Sequence, residues 1–257
     1  MKTKQLLNIN YSLGPYRSFV DNMIELAHSN KSTYVCVSAV HMFIEAYKDD
    51  SFAAILNKAE IVTPDGKPLT WALKFLYGIK QDRVAGMDLL PDLLLAAENQ
   101  NIPVGFYGGT EEMLIKTQDH LGKNYPKLTI AKMYSPPFRP LKAEEEDSII
   151  KIFNESNARM IFVVLGCPKQ ERWMISMKDR INALMIGIGG ALPVLVGLNK
   201  RAPVWMQDSG LEWAYRLGQE PKRLFRRYAA TNSLFIYLIL KEKLSFKKSS
   251  SKKIVKE

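Results

Sequence analysis

Asp65 lies in Thr63-Pro64-Asp65-Gly66-Lys67-Pro68, a turn that follows the short β-branched run Glu60–Thr63. A carboxylate there projects from the C-terminal edge of a sheet, where open α/β folds bind their ligands. It suits a general base if it can reach an acceptor hydroxyl. Equally, an Asp beside Gly commonly serves a turn or caps a helix. A second string, Gly166-Cys167-Pro168-Lys169-Gln170-Glu171, joins an apolar run to a helical one. Pro168 fits a first helical position, and the free N–H groups there point at an anion. Lys169 and Gln170 are placed to bond such a ligand. Gly108-Gly109 and Gly189-Gly190 each close a strand; such pairs let backbone approach a ligand, or simply turn the chain.

The stretch Lys200–Tyr228 carries Lys200, Arg201, Arg216, Lys222, Arg223, Arg226 and Arg227 among Trp205, Trp213, Tyr215, Leu224, Phe225 and Tyr228. Cations interleaved with large apolar groups can hold a multiply charged anion beside a greasy surface. The competing reading is an amphipathic helix with a solvated basic face. Pro221 suits a helix start, after which Arg223 and Arg227 are i, i+4 neighbours. For metals the residues argue negatively. There is no Asp-x-Asp pair, His28, His41 and His120 lack ligand spacing, and Cys36 and Cys167 have no partner pattern. No metal and no cofactor is therefore expected. Neither glycine pair completes a G-x-G-x-x-G or a P-loop, which argues against a dinucleotide-dependent oxidoreductase.

Alternating strands and helices must position these groups. Strands are expected over Tyr34–Val40, Glu60–Thr63, Ile102–Tyr107, Leu128–Met133, Met160–Leu165 and Leu184–Ile188, with a short extended piece at Arg83–Ala85. Helices are expected over Ser18–Ser29, His41–Lys58, Leu69–Leu76, Leu89–Glu98, Glu111–Asn124 and Ala143–Asn154, and after Pro168; Asp88 is placed to cap the fourth. The pattern predicts an α/β fold: a mostly parallel, Rossmann-like sheet flanked by helices, with a basic helical C-terminal appendage. The alternation stops near Asn199–Gly210. That divides the chain into a core over 1–199, an appendage over 200–246 and a Ser/Lys tail over 247–257 expected to be disordered.

The 257 residues have an ordinary globular composition. Two cysteines make a disulfide framework improbable and suggest a reducing compartment. Met1–Tyr16 has no signal-peptide core, and the longest uncharged apolar run, Ala183–Leu198, is too short and glycine-broken to span a bilayer. Charge is concentrated at the C-terminus. From Trp213 to Glu257 twelve Lys and Arg face three acids, which accounts for +9 of the formal +10. Such an arm on a neutral body engages an anionic ligand or surface.

Taken in order, several strings resemble the WecG/TagA/CpsF glycosyltransferase family (glycosyltransferase family 26). They are Thr63-Pro64-Asp65-Gly66, Arg83-Val84-Ala85-Gly86-Met87-Asp88-Leu89, Phe106-Tyr107-Gly108-Gly109, Leu165-Gly166-Cys167-Pro168-Lys169-Gln170-Glu171, Gly187-Ile188-Gly189-Gly190, Lys200-Arg201-Ala202-Pro203, and Gly210–Leu217 running on to Glu220–Tyr228. The resemblance spans roughly residues 10 to 235. It implies a metal-independent inverting transferase, cytoplasmic and peripheral on the inner face of the cell membrane. Its partners would be a UDP-sugar donor, a polyprenyl-diphosphate-linked acceptor and an anionic membrane surface, with a homo-oligomer left open. The sugar implied is N-acetylmannosamine or its uronic acid. Asp65 takes the place of the catalytic base, Gln170 lies by the donor, and Arg223, Arg226 and Arg227 close over the diphosphate. Where the family often has Thr-x-Asn, this chain has Val37 and Ala39; where it often has Asp after Gly-Gly-x-Phe, this chain has Pro193.

The alternative from another class is a nucleic-acid-binding module that uses the basic arm. Against it, the aromatics of Gly210–Leu217 recur at helical spacing, more like core than a stacking platform, so no nucleic acid is expected.

Overall fold

The computed structural model describes residues 1–254, except the side chains of Arg223 and of 246–254. The chain opens with a hairpin of β1 (Lys2–Leu6) and β2 (Ile9–Leu13), followed by α1 (Tyr16–His28), β3 (Thr33–Ser38), α2 (Val40–Lys48), α3 (Asp50–Asn57), β4 (Ile61–Pro64), α4 (Lys67–Tyr77) and α5 (Gly86–Asn99). Next come β5 (Val104–Gly108), α6 (Glu111–Asn124), β6 (Ile130–Tyr134), α7 (Ala143–Glu155), β7 (Met160–Val164), α8 (Lys169–Met177) and β8 (Leu184–Gly187). Four helices end the described chain: α9 (Ala191–Leu195), α10 (Val204–Asp208), α11 (Glu212–Gln219) and α12 (Pro221–Ile254).

Strands β3 to β8 form one sheet in the order β4-β3-β8-β7-β5-β6, every pair parallel. Parallel strands covered on both faces read as continuous apolar runs, as Met160–Val164 does, and all five of its residues are buried. Alternate residues then feed two cores. Tyr34, Cys36, Ile161 and Val163 point into one core, and Val35, Val37, Phe162 and Val164 into the other. The appendage is packed into the first. Phe235, Leu238 and Ile239 of α12 are buried there, with Phe235 edge-on to Phe43 at 5.2 Å.

Local chemistry changed several expected boundaries. The helix expected over His41–Lys58 is two helices, because the Asp49 carboxylate accepts from the N–H groups of Ser51 and Phe52 at 2.9 and 3.2 Å and caps a new start. Asp88 is not the cap of α5; it lies in the helix's first turn and pairs with arginines instead. Pro168 precedes α8 rather than opening it, and its peptide bond is cis. Arg83–Ala85 forms no strand, yet Val84 N–H donates to Pro64 O and Thr63 Oγ1 donates to Val84 O, so the piece lies along the end of β4. The tail from 247, expected to be disordered, is helical backbone as far as Ile254; 255–257 lie outside the described residues. The β1–β2 hairpin had no counterpart among the expected elements.

Candidate active site

All strand ends that carry candidate residues lie at the C-terminal edge of the sheet. Asp65 directly follows β4 and is held by its own N–H, which donates to Ser38 O at 2.9 Å. Its half-buried carboxylate accepts the Gly86 N–H. Burial, and then the charge of Glu212, push the Asp65 carboxyl up to about 7, against the pull of Arg83 and Arg216. Both cations come from elsewhere in the chain. Arg83 donates to Glu212 and to Asp88, each at 2.7 Å, and Arg201 also pairs with Asp88. A chain of ion pairs thus runs from α11 through Arg83 to the first turn of α5 and on to residue 201. Met87, Arg201, Glu212, Arg216 and Glu220 line a pocket beside it.

Gln170 is 3% exposed and lies beneath the glycine turns. Its Oε1 accepts the Gly166 N–H at 3.1 Å, and its Nε2 donates to Glu171 at 2.7 Å. A Cβ on Gly187 would meet Gln170 Nε2 at 2.8 Å, so this strand end admits only glycine while Gln170 holds its place. Both polar ends of Gln170 are therefore used inside the protein, and it fixes the turn a ligand would rest on. Beside it, burial pushes the Glu171 carboxyl up to about 7, opposed by hydrogen bonds from Gln170 and the Cys167 thiol. Among the described residues, no hydrogen-bond partner meets the buried His41 Nδ1 or Arg227 Nε. Burial and the nearby Arg227 lower the His41 pKa.

The Gly189-Gly190 turn joins these two groups. Gln170 Oε1 lies 3.3 Å from where a Cβ on Gly189 would stand, and Arg216 Nη2 lies 3.0 Å from one on Gly190. Gly108 and Gly109 close β5; Gly109 N–H donates to Val164 O, and Ser135 Oγ to Gly109 O. Lys169 opens α8. Of the expected arginines, Arg201 and Arg216 belong to the Asp65 side. Arg227 sits on the His41 side, Arg226 is exposed, and the Arg223 side chain is outside the described residues. Val37 is buried against the Gly86 backbone, Ala39 is exposed just beyond β3, and Pro193 lies within α9. Among the described residues no group of three or more His, Cys, Asp or Glu is placed to share a metal ion.

Sequence reasoning missed Glu212 and the partnership of Arg83 with it. The two are 129 positions apart, and no local pattern joins them. It named His41 only as lacking ligand spacing and Glu171 only as the end of the Gly166–Glu171 string, because burial of a single His or Glu leaves no local pattern.

An α/β sheet with a raised carboxyl and arginines at the C-terminal ends of its strands carries the groups that transfer to an acceptor hydroxyl from an anionic leaving group would use. The sequence profile described as the Glycosyl transferase WecG/TagA/CpsF family matches residues 4–249, and the chain belongs to that family. It is a glycosyltransferase. Among similar proteins, an N-acetylglucosaminyldiphosphoundecaprenol N-acetyl-beta-D-mannosaminyltransferase of Bacillus spizizenii (strain W23) is 29% identical over 87% of this chain and 86% of its own. Proteins of the same name from Bacillus subtilis (strain 168) and Staphylococcus aureus (strain MW2) are 29% and 28% identical. They cover 90% and 95% of this chain and 91% and 94% of their own.

Proposed function

We propose that this enzyme moves an N-acetylhexosamine, N-acetylmannosamine or its uronic acid, from UDP to a sugar carried on polyprenyl diphosphate, with inversion. The observation that carries the reading is the Asp65 carboxyl, held near neutrality at the ligand edge with two arginines beside it. Asp65 takes the proton of an acceptor hydroxyl. That oxygen attacks the anomeric carbon as the bond from carbon to the β-phosphate oxygen breaks, and UDP carries away the bonding electrons. Arg216, with Arg223, Arg226 and Arg227 of α12, meets the negative charge that develops on the leaving group.

Spacing supports the assignment. At roughly 4.8 Å per strand, the Gly189 turn beyond β8 is about 10 Å from the strand of Asp65, and the Gly166 turn about 14 Å. A sugar at Asp65 thus leaves its diphosphate over the glycine turns and beside Arg216. The name of the relatives specifies a polyprenyl-diphosphate acceptor and an N-acetylmannosaminyl group. No helix among the described residues is long and apolar enough to cross a membrane. Contact with the cytoplasmic leaflet then falls to α12, whose exposed Ile236, Tyr237, Leu240 and Leu244 stand among lysines.

The test is UDP release from a panel of UDP-N-acetylhexosamines, with a short-chain polyprenyl-diphosphate N-acetylglucosamine as acceptor. Acceptor-dependent release from one donor is expected, with Asp65→Asn slower by about 10²–10⁴-fold. Wild-type turnover in that variant removes Asp65 as the base.

A further inference from the structure

Helix α4 begins one residue after the Asp65-Gly66 turn. Lys67, Trp71 and Phe75 fall at i, i+4 and i+8 and share one outward face. That face is unusual: Trp71 is 52% and Phe75 47% exposed, while Leu69, Leu73 and Leu76 are buried on the opposite side. The only charged residues of α4 are Lys67 and Lys74. From Lys67 to Phe75 is about 12 Å along the axis.

Both ends of this strip are built into the rest of the molecule. At the start, the turn at Gly210 (φ +70°) lies over it. A Cβ there would stand 2.7 Å from Trp71 Cη2 and 3.2 Å from Lys67 Cβ, so only glycine lets the appendage come so close. At the far end, Lys243 of α12 donates to Phe75 O at 2.6 Å and stands over the Phe75 ring at 5.0 Å. Leu240, about one turn before Lys243, and Leu244, the residue after it, are exposed. An apolar strip thus runs from near the base, past the Gly210 turn, along the exposed sides of two aromatic rings to the exposed side of α12. It has a cation at its inner end and no acid on α4 to repel a phosphate.

We infer that this face of α4 binds the acceptor's isoprenoid chain, with Lys67 at the acceptor diphosphate and Trp71 and Phe75 under the first prenyl units. The inference rests on the lipid-linked acceptor proposed above. The chemistry fits each part: an ammonium for the diphosphate, flat apolar rings for an unsaturated hydrocarbon, and an exit at the helix proposed to meet the bilayer. The chain then lies on protein from the reaction centre outwards, and the acceptor sugar is held by a fixed hydrocarbon anchor.

The experiment compares kcat/KM for water-soluble N-acetylglucosaminyl-diphosphate acceptors whose tails carry one, two, three or four prenyl units, without detergent or vesicles. In the wild type the value climbs as the tail grows long enough to cover Trp71 and Phe75. In Trp71→Ser with Phe75→Ser the ratio of longest to shortest acceptor falls by about tenfold or more, mainly through KM. Trp71→Phe with Phe75→Leu keeps it. Because both rings are half exposed, Phe75→Ser alone replaces the double variant if that one does not fold. An unchanged ratio overturns the inference, as does an equal loss on all tails. So does a ratio that stays while binding to phosphatidylglycerol vesicles drops, which would assign the rings to the bilayer. If the wild type transfers to none of these acceptors, the proposed function itself fails, and this inference with it.

Discussion

Asp65 and Glu171 flank the same glycine turn, and burial raises both carboxyls to about 7. Their surroundings differ in kind. Asp65 faces Arg83, Arg216 and Glu212, charged groups brought by distant segments, and its residue keeps a path to solvent. Glu171 is fully enclosed and bonded to Gln170 and Cys167. A raised pKa therefore does not by itself mark a base. What separates the two is access for a substrate and cations to meet the charge that appears when the proton moves.

Replacing the carboxyls one at a time breaks or sharpens that contrast most strongly. Asp65→Asn costs about 10²–10⁴ in kcat, whereas Glu171→Gln stays within roughly tenfold, since it keeps an acceptor for Gln170. Steady-state UDP release measures both; equal losses would place Glu171 in the chemistry as well. Stability should treat the two alike. Each folded-state pKa lies above its ordinary value, so between about pH 4 and 7 the folded state holds a proton that the unfolded state has lost. Stability present at low pH is then lost as pH rises through 7, by at most on the order of 3 to 4 kcal/mol for each group. Denaturant titrations from pH 5 to 8 should show a fall in the wild type that either substitution flattens. A wild type with no fall would mean that neither carboxyl is raised.

Gly187→Ala tests the floor between the two regions. Its Cβ would force Gln170 Nε2 and the Met174 methyl aside in a packed core, costing about 1–3 kcal/mol. It would also disturb the Gly166 and Gly189 turns together, so KM for the donor should rise with the loss of stability. A stable variant with unchanged KM would detach Gln170 from the ligand floor.

The Glu171 side was far more legible in the sequence than the Asp65 side. Gly166–Glu171 is contiguous, and the apolar run before it announces a buried parallel strand. The sheet was readable for the same reason, since strands such as Met160–Val164 are continuous apolar runs. The Asp65 side is assembled from three segments. Its turn could be read, but Arg83 and Glu212 meet only because α11 folds back across the sheet edge. Asp49 divided a helix whose apolar spacing continues through it, because one side-chain cap outweighs periodicity there. The β1–β2 hairpin escaped notice because its strands, Lys2–Leu6 and Ile9–Leu13, mix polar and apolar residues with no run to mark them. The resemblance marked strings on both sides without saying which of them touch.

The smallest predicted effect is the most specific to the contrast. Glu212 stands second only to burial among the causes that raise Asp65, and it also occupies Arg83 through a 2.7 Å ion pair. Glu212→Gln removes a negative charge beside the base and loosens the cation that opposes it. Both changes favour ionised Asp65, while Arg216 and the Gly86 N–H stay in place. The acid limb of the kcat/KM profile, expected near pH 7 in the wild type, should therefore move down by about one unit or less, and activity at pH 6 should rise relative to pH 8. Glu171→Gln provides the comparison, because its carboxyl is not among the groups that shift Asp65, and it should leave that limb where it is. If Glu212→Gln left the limb unmoved, the ion-pair chain from α11 would tie down the appendage without setting the base. If Glu171→Gln moved it, the two sides of the turn would titrate as one site, and the distinction between them would disappear.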